Sequence, residues 1–266
     1  GATLQIDADE LIIESGSIEG NVQGPTTVRK ITQQTAEVES LPGFGGEVVV
    51  DAGTLVVNSS PDLASGGAFR VSSPRNAVLQ LGPNRSNFDD IFVEADIHLN
   101  NAHGVTHGGA LFFKDTNVFL TGQLSLGDVG STVRGLNTTG PITRGALHVV
   151  EDGKISGDGH TYAGATHIRS GVLQLEDQGA LQSTSSIVLH EEEDSDQGGL
   201  FLFFSESPPT DRINDAAPIE FLGGELRSGG RSADSRSETF GPWRFIEGDS
   251  DVGISITDAE SGSMNT

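Results

Sequence analysis

The sequence predicts an all-β chain wound as a single elongated β-solenoid, a right-handed parallel β-helix with an irregular first half and protruding loops. Three observations carry this expectation: a short glycine-led phrase that recurs along the 266 residues, two-residue alternation of apolar side chains within its copies, and abundant corner formers, including 36 glycines.

The phrase runs glycine, any residue, a large apolar residue, any residue, then usually a second apolar one. It reads GTLVV at Gly53, GAFRV at Gly67, GALFF at Gly109, GQLSL at Gly122, GALHV at Gly145, GVLQL at Gly171, GLFLF at Gly199 and GELRS at Gly224. From Gly122 onward the intervals between these glycines are 23, 26, 28 and 25 residues, whereas 42 residues separate Gly67 from Gly109. In extended chain, side chains i and i+2 share a face. Leu124 with Leu126, Leu147 with Val149, Leu173 with Leu175 and Phe201 with Phe203 are therefore expected on one buried side, each rung covering the last. The leading glycine suits a corner that needs positive φ or close backbone approach. One rung exposes its apolar side until a neighbour covers it, which is the physical meaning of a period in the twenties.

Taken in order, TLQID near Leu4, LIIES near Ile12, EVVVD near Val49, AVLQL near Leu79, IFVEADIHL over 91–99, SIVLH near Val188, PIEFL near Phe221 and GISIT near Ile254 read as further strands. Only 28–41 leans towards a short helix, and the spacing of Val28, Ile31, Thr35 and Val38 is mixed. The acidic run HEEEDSDQGG over 190–199 reads as a loop protruding between coils. No linker divides the chain. Residues 1–266 are expected to form one domain of about eight to ten coils, irregular over 1–121 and regular over 122–266. A hydrophobic content of 35% suits the thin core of such a rod.

Composition narrows the function. Thirty-eight acidic against 15 basic residues give a net charge of -23, which repels nucleic-acid phosphates and anionic headgroups and attracts divalent cations or basic partners. The absence of cysteine excludes disulfides and thiolate metal sites. No apolar run approaches the ~20 residues that span a bilayer, so membrane insertion is not expected. A start at Gly1 without a signal-peptide pattern reads as a processed or excised segment.

TYAGATHIRSGVLQL, residues 161–175, resembles the autotransporter-associated β-strand repeat of Gram-negative bacteria, usually T-Y-T-G-x-T-x-[IV]-x-x-G-T-L-x-[LV]. Thr161, Tyr162, Gly164, Thr166, Ile168, Gly171, Leu173 and Leu175 stand in matching places, and Gly179 begins the GAL that follows. Ala163 and Val172 replace the usual Thr. RINDAAPIEFLGGELRSGG over 212–230 and SETFG over 237–241 are similar to phrases that follow this repeat, and EVVVDAGTLVV over 47–57 is a weaker copy. The good matches cover about a third of the chain. The resemblance implies an exported passenger-type β-helix at the cell surface, a structural part of a fibre, sheath or adhesin, with no catalytic residue to carry over. Its expected partners are copies of itself, neighbouring solenoid segments or surface glycans. The rival reading is a carbohydrate-active β-helix, a polysaccharide lyase or tailspike-like glycosidase, which needs convergent acidic, Arg or Lys side chains on adjacent coils.

The chemically suggestive clusters fall short of a site. His98, His103 and His107 match no standard metal-ligand spacing, and the glycines around them oppose a helix that would align them. DSDQG at Asp194 and DSDVG at Asp249 are fragments of a calcium loop that lack its closing Glu, a pattern compatible with weak, millimolar calcium binding or a plain polar turn. Asp7 with Asp9 and Glu37 with Glu39 are acidic pairs on one strand face, roughly 6–7 Å apart, and chance supplies such pairs in so acidic a chain. Trp243 and Tyr162 read as packing residues. Arg227, Arg231 and Arg236 are interleaved with Asp and Ser, unlike a nucleic-acid patch. The Asn58, Asn84 and Asn137 sequons carry no weight in a bacterial chain. The expectation is therefore no enzyme, no catalytic, cofactor or metal residue, and no cofactor.

Overall fold

The structure, a computed structural model, describes residues 3–5, 9–23, 26–41, 44–58, 67–72, 76–82, 91–100, 102, 109–114, 118–191, 198–204, 211–230 and 238–256. Among these there is no helix, and so none long and apolar enough to cross a membrane. The chain winds into a parallel β-solenoid of three sheets. The first has twelve strands, from Thr3–Gln5 to Trp243–Glu247. The second has eight, from Ile91–Val93 to Asp251–Ile256. The third has seven, from Glu10–Ile13 to Ile142–Thr143. One full rung visits all three: Ile91–Val93 lies on the second sheet, Asp96–Leu99 on the third and Leu111–Phe113 on the first.

Rungs pair in register, and that register builds the core. On the first sheet Ala36, Leu55, Leu79, Leu111, Val133, Val149, Ile168, Leu189 and Phe221 lie one above another. All nine are fully buried. On the third sheet Val28, Val48, Phe69, Ile97, Leu124 and Ile142 form a second buried column. Alternation does the sorting: in Thr35–Ser40, Ala36, Val38 and Ser40 are buried while the residues between face outward. Lys30 stands in an inward position between Ile13 and Val50 yet is fully buried, because its Nζ reaches the corner and donates to Thr32 Oγ1 at 3.0 Å and to the Ala52 carbonyl at 3.2 Å. Gly53 shows what a corner demands: its φ is +68°, and a Cβ there would lie 2.3 Å from the Thr32 carbonyl.

Several details of the sequence reading change. The recurring phrases do not all stack on one another: GVLQL, GLFLF and GELRS occupy successive rungs of the second sheet, but the set as a whole is spread over three sheets. Leu124 lies on the third sheet, Leu147 on the first and Leu173 on the second. In GLFLF the inward residues are Leu200 and Leu202, and Phe201 faces out, because the phrase is led by Gly198 and a one-residue slip exchanges the two faces of a strand. Rungs along the first sheet vary from 16 residues (Val133 to Val149) to 32 (Leu79 to Leu111, and again Leu189 to Phe221), so long rungs occur in both halves. The twelve strands of the first sheet exceed the eight to ten coils read from the phrases. Residues 91–99 are two strands on different sheets, with a bend at Ala95. The short helix over 28–41 is instead the strands Thr27–Lys30 and Thr35–Ser40, each buried against its neighbours in the stack. Most of the acidic run at 190–199 lies outside the described residues.

Truncating one interior position should cost far more than truncating an outward one. Leu111→Ala removes a side chain packed between rungs and is expected to cost about 2–5 kcal/mol, whereas Ile12→Ala, half exposed, should change stability by no more than about 0.5 kcal/mol. Urea denaturation of the two variants beside the parent chain checks this.

Candidate functional site

The same register that stacks the interior also stacks the outward residues into ladders. On the second sheet Phe92 lies over Phe119. Lys154 is in register with Asn137 and with Gln174, and the ladder continues through Phe201 and Arg227 to Gly253. Phe119 stands beside Leu120, which pairs with Thr138, so Phe119 is level with Asn137. The stretch from Phe119 to Arg227 lines a groove of about 570 Å³. Its polar groups are tied down. Lys154 Nζ meets Glu176 Oε2 at 2.5 Å, Gln174 Nε2 donates to Glu176 Oε1 at 2.5 Å, and the Arg227 guanidinium pairs with Glu225. Asp152, also on the groove wall, accepts the Val172 amide through Oδ1 at 2.9 Å.

A second ladder lies on the outer face of the first sheet. His148 and His167 are register partners whose rings stack at 4.4 Å with 5° between planes, and His167 Nδ1 is 3.3 Å from His190 Nε2. Burial, then the charges of His190 and Arg169, depress the His167 pKa to about 4, with Glu220 opposing. His190 is lowered by burial and Arg169. Glu220 is itself held by Arg244 Nη1 at 3.0 Å. Farther round the rung, His160 Nε2 donates to the Gly157 carbonyl at 2.9 Å and Nδ1 accepts the Ile142 amide at 3.1 Å. Acceptance at Nδ1 requires the neutral ring, and burial lowers its pKa, with the Gly157 carbonyl opposing.

The residues of the resembling repeat make a corner. Tyr162 is buried, with its hydroxyl 2.8 Å from Thr166 Oγ1; Thr166 Oγ1 is 3.0 Å from Thr184 Oγ1, which donates to the Gly164 carbonyl at 3.0 Å. A Cβ on Gly164 would sit 2.3 Å from the Gly145 carbonyl. Arg212, fully buried, closes a later corner by donating to the Leu175 carbonyl at 2.5 Å and the Asp177 carbonyl at 3.0 Å. Its own amide and that of Ile213 are accepted by Glu238, whose pKa burial raises. These contacts are structural: they hold the turns together.

The clusters singled out in the sequence are dispersed. His98 sits on the third sheet between Arg70 and Ser125, half-buried, while His103 and His107 lie outside the described residues. No group of three metal-ligating side chains converges among the described residues. Asp249 is exposed and Asp251 already belongs to the strand Asp251–Ile256, so DSDVG is a strand entry rather than a loop; Asp194 is outside the described residues. Glu37 and Glu39 face outward on one strand, and Glu37 Oε2 accepts Asn58 Nδ2 at 3.4 Å; Asp9 is exposed and Asp7 not described. Arg227 lies in the groove; Arg231 and Arg236 are outside the described residues. Asn84 is likewise not described, and Asn137 is buried on the groove floor. Both ladders were missed in the sequence. Their signal is the middle residue of each apolar pair, but aligning those residues needs rung lengths that range from 17 (Asn137 to Lys154) to 27 (Gln174 to Phe201).

Set against known proteins, the chain matches no family model, no curated protein and no solved structure.

The histidines set a pH dependence. A His pKa that is lower in the folded chain than its usual 6.5 means that the unfolded chain takes up protons first. Stability should hold above about pH 6.5 and fall as pH drops towards about 4. His167→Gln should flatten that slope, as read from thermal midpoints of the parent and variant between pH 7 and pH 4.

Proposed function

We propose that the chain is a structural rod segment of an exported bacterial surface protein, contributing to a fibre, sheath or adhesin at the cell exterior. The observation that supports this most is the single interior shared by all rungs, which makes the chain stiff along one axis and lets it extend by adding rungs. The resemblance of 161–175 to the autotransporter-associated repeat points the same way, because Tyr162, Gly164, Thr166 and Gly171 serve the corner and the strand rather than any chemistry. The acidic surface suits a secreted rod that stays dispersed in salt.

Self-association belongs to this reading. Trp243–Glu247 is the last described strand of the first sheet, and every residue in it is exposed, with Trp243 at 43%, Phe245 at 62% and Ile246 at 54%. Phe245 stacks on Phe221 at 4.7 Å, in the buried column, and so presents an interior position that a further rung or a second copy would cover.

Electron microscopy tests the proposal, on the purified chain and on intact cells that produce it, labelled with antibody. Rods that join end to end, fewer of them with Phe245→Asp, together with label outside the cell, support it. Compact particles, or label that appears only after the cells are broken, would overturn it.

A further inference from the structure

We infer that the groove on the second sheet is a binding site for a neutral oligosaccharide chain lying along the solenoid axis. This goes beyond the structural reading and does not depend on it. The argument begins with Gly199. Its φ is outside the left-handed region, and a Cβ there would meet only ordinary contacts, Val172 Cγ2 at 3.5 Å and Glu225 Cβ at 3.8 Å. The fold tolerates a side chain at this position, unlike Gly53 or Gly171, where a Cβ would strike backbone at 2.3 and 2.4 Å. Gly199 is level with Val172 and Glu225 on the groove side of the sheet, so leaving it bare keeps the groove open between those two side chains, beside Phe201.

The lining then selects the ligand. Phe119 and Phe201 stand four rungs apart, about 19 Å at about 4.8 Å per rung, a span for an oligosaccharide rather than a single sugar. Between them lie Asn137, Lys154 and Gln174, one polar side chain per rung. Aromatic faces pack against the C–H faces of pyranose rings, and amide and ammonium groups bond hydroxyls. Charge excludes the acidic polymers. Lys154 and Arg227 are each paired with a glutamate, Asp152 adds a further negative charge, and the chain as a whole carries -23. A peptide strand has no edge to join, because the groove floor is the middle of a sheet whose strands are already paired on both sides.

Affinity gel electrophoresis of the whole chain provides the test, with xyloglucan, galactomannan, mixed-linkage β-glucan, dextran or polygalacturonate cast into the gel. At least one neutral polysaccharide should retard the chain, and polygalacturonate should not. Gly199→Leu, which fills the groove, should abolish the retardation, and Phe201→Ala and Gln174→Ala should each weaken binding about tenfold, while Val78→Leu on the first sheet should leave it unchanged. An unaltered thermal midpoint identifies the variants that keep the fold, and Gln174→Ala, confined to an outward side chain, serves if Gly199→Leu does not. The inference is overturned if no neutral polysaccharide retards the chain, if only polygalacturonate does, or if folded groove variants bind as the parent does.

Discussion

Backbone pairing between successive rungs, parallel and in register, is the constraint on which everything else rests. Each interior side chain sits directly above an equivalent one, so the core is a set of columns rather than a globule. Leu111 is held by Leu79 on one side and Val133 on the other, and it is fully buried in the interior that all three sheets share. The corners follow from the same constraint. Once two rungs are locked about 4.8 Å apart, a corner has no room for a Cβ that points at the rung beneath, as at Gly53 and Gly164. Its loose polar groups are bonded within the turn, as Lys30 and Tyr162 show.

The outer faces inherit the register as well. A residue type that recurs at the same outward position becomes a ladder, and a ladder has properties that its members lack. His148, His167 and His190 share one strip of surface, where burial and neighbouring positive charge lower the pKa of His167 and His190. Likewise Phe119 and Phe201 are unremarkable singly, yet with Asn137, Lys154 and Gln174 between them they bound a groove aligned with the axis. The proposed structural and recognition roles thus use different sides of the same strands.

How much of this was legible is decided by period. The two-residue alternation is local, so GTLVV and AVLQL read correctly as strands with Leu55 and Leu79 inward. The glycine that leads the recurring phrase marks the corners at Gly53, Gly145 and Gly171, where φ is positive. The longer period was not legible, because a rung has three sides and the same phrase serves on any of them: Leu124, Leu147 and Leu173 look alike and lie on three different sheets. Rung length also varies with whatever a corner or excursion must accommodate. The double glycine at Gly198 and Gly199 hid the phase of GLFLF, and with it the groove residue Phe201.

Register itself can be measured most directly by cysteine pairing, since the chain has no cysteine of its own. Outward partners Thr54 and Val78, and likewise Glu37 and Val56, lie level on adjacent strands, within the reach of a disulfide. Paired substitutions at these positions should cross-link under mild oxidation, and pairs moved by one residue, such as Thr54 with Leu79, should not. Cross-linking of the shifted pairs, or none at the level ones, would contradict the stacked, in-register solenoid.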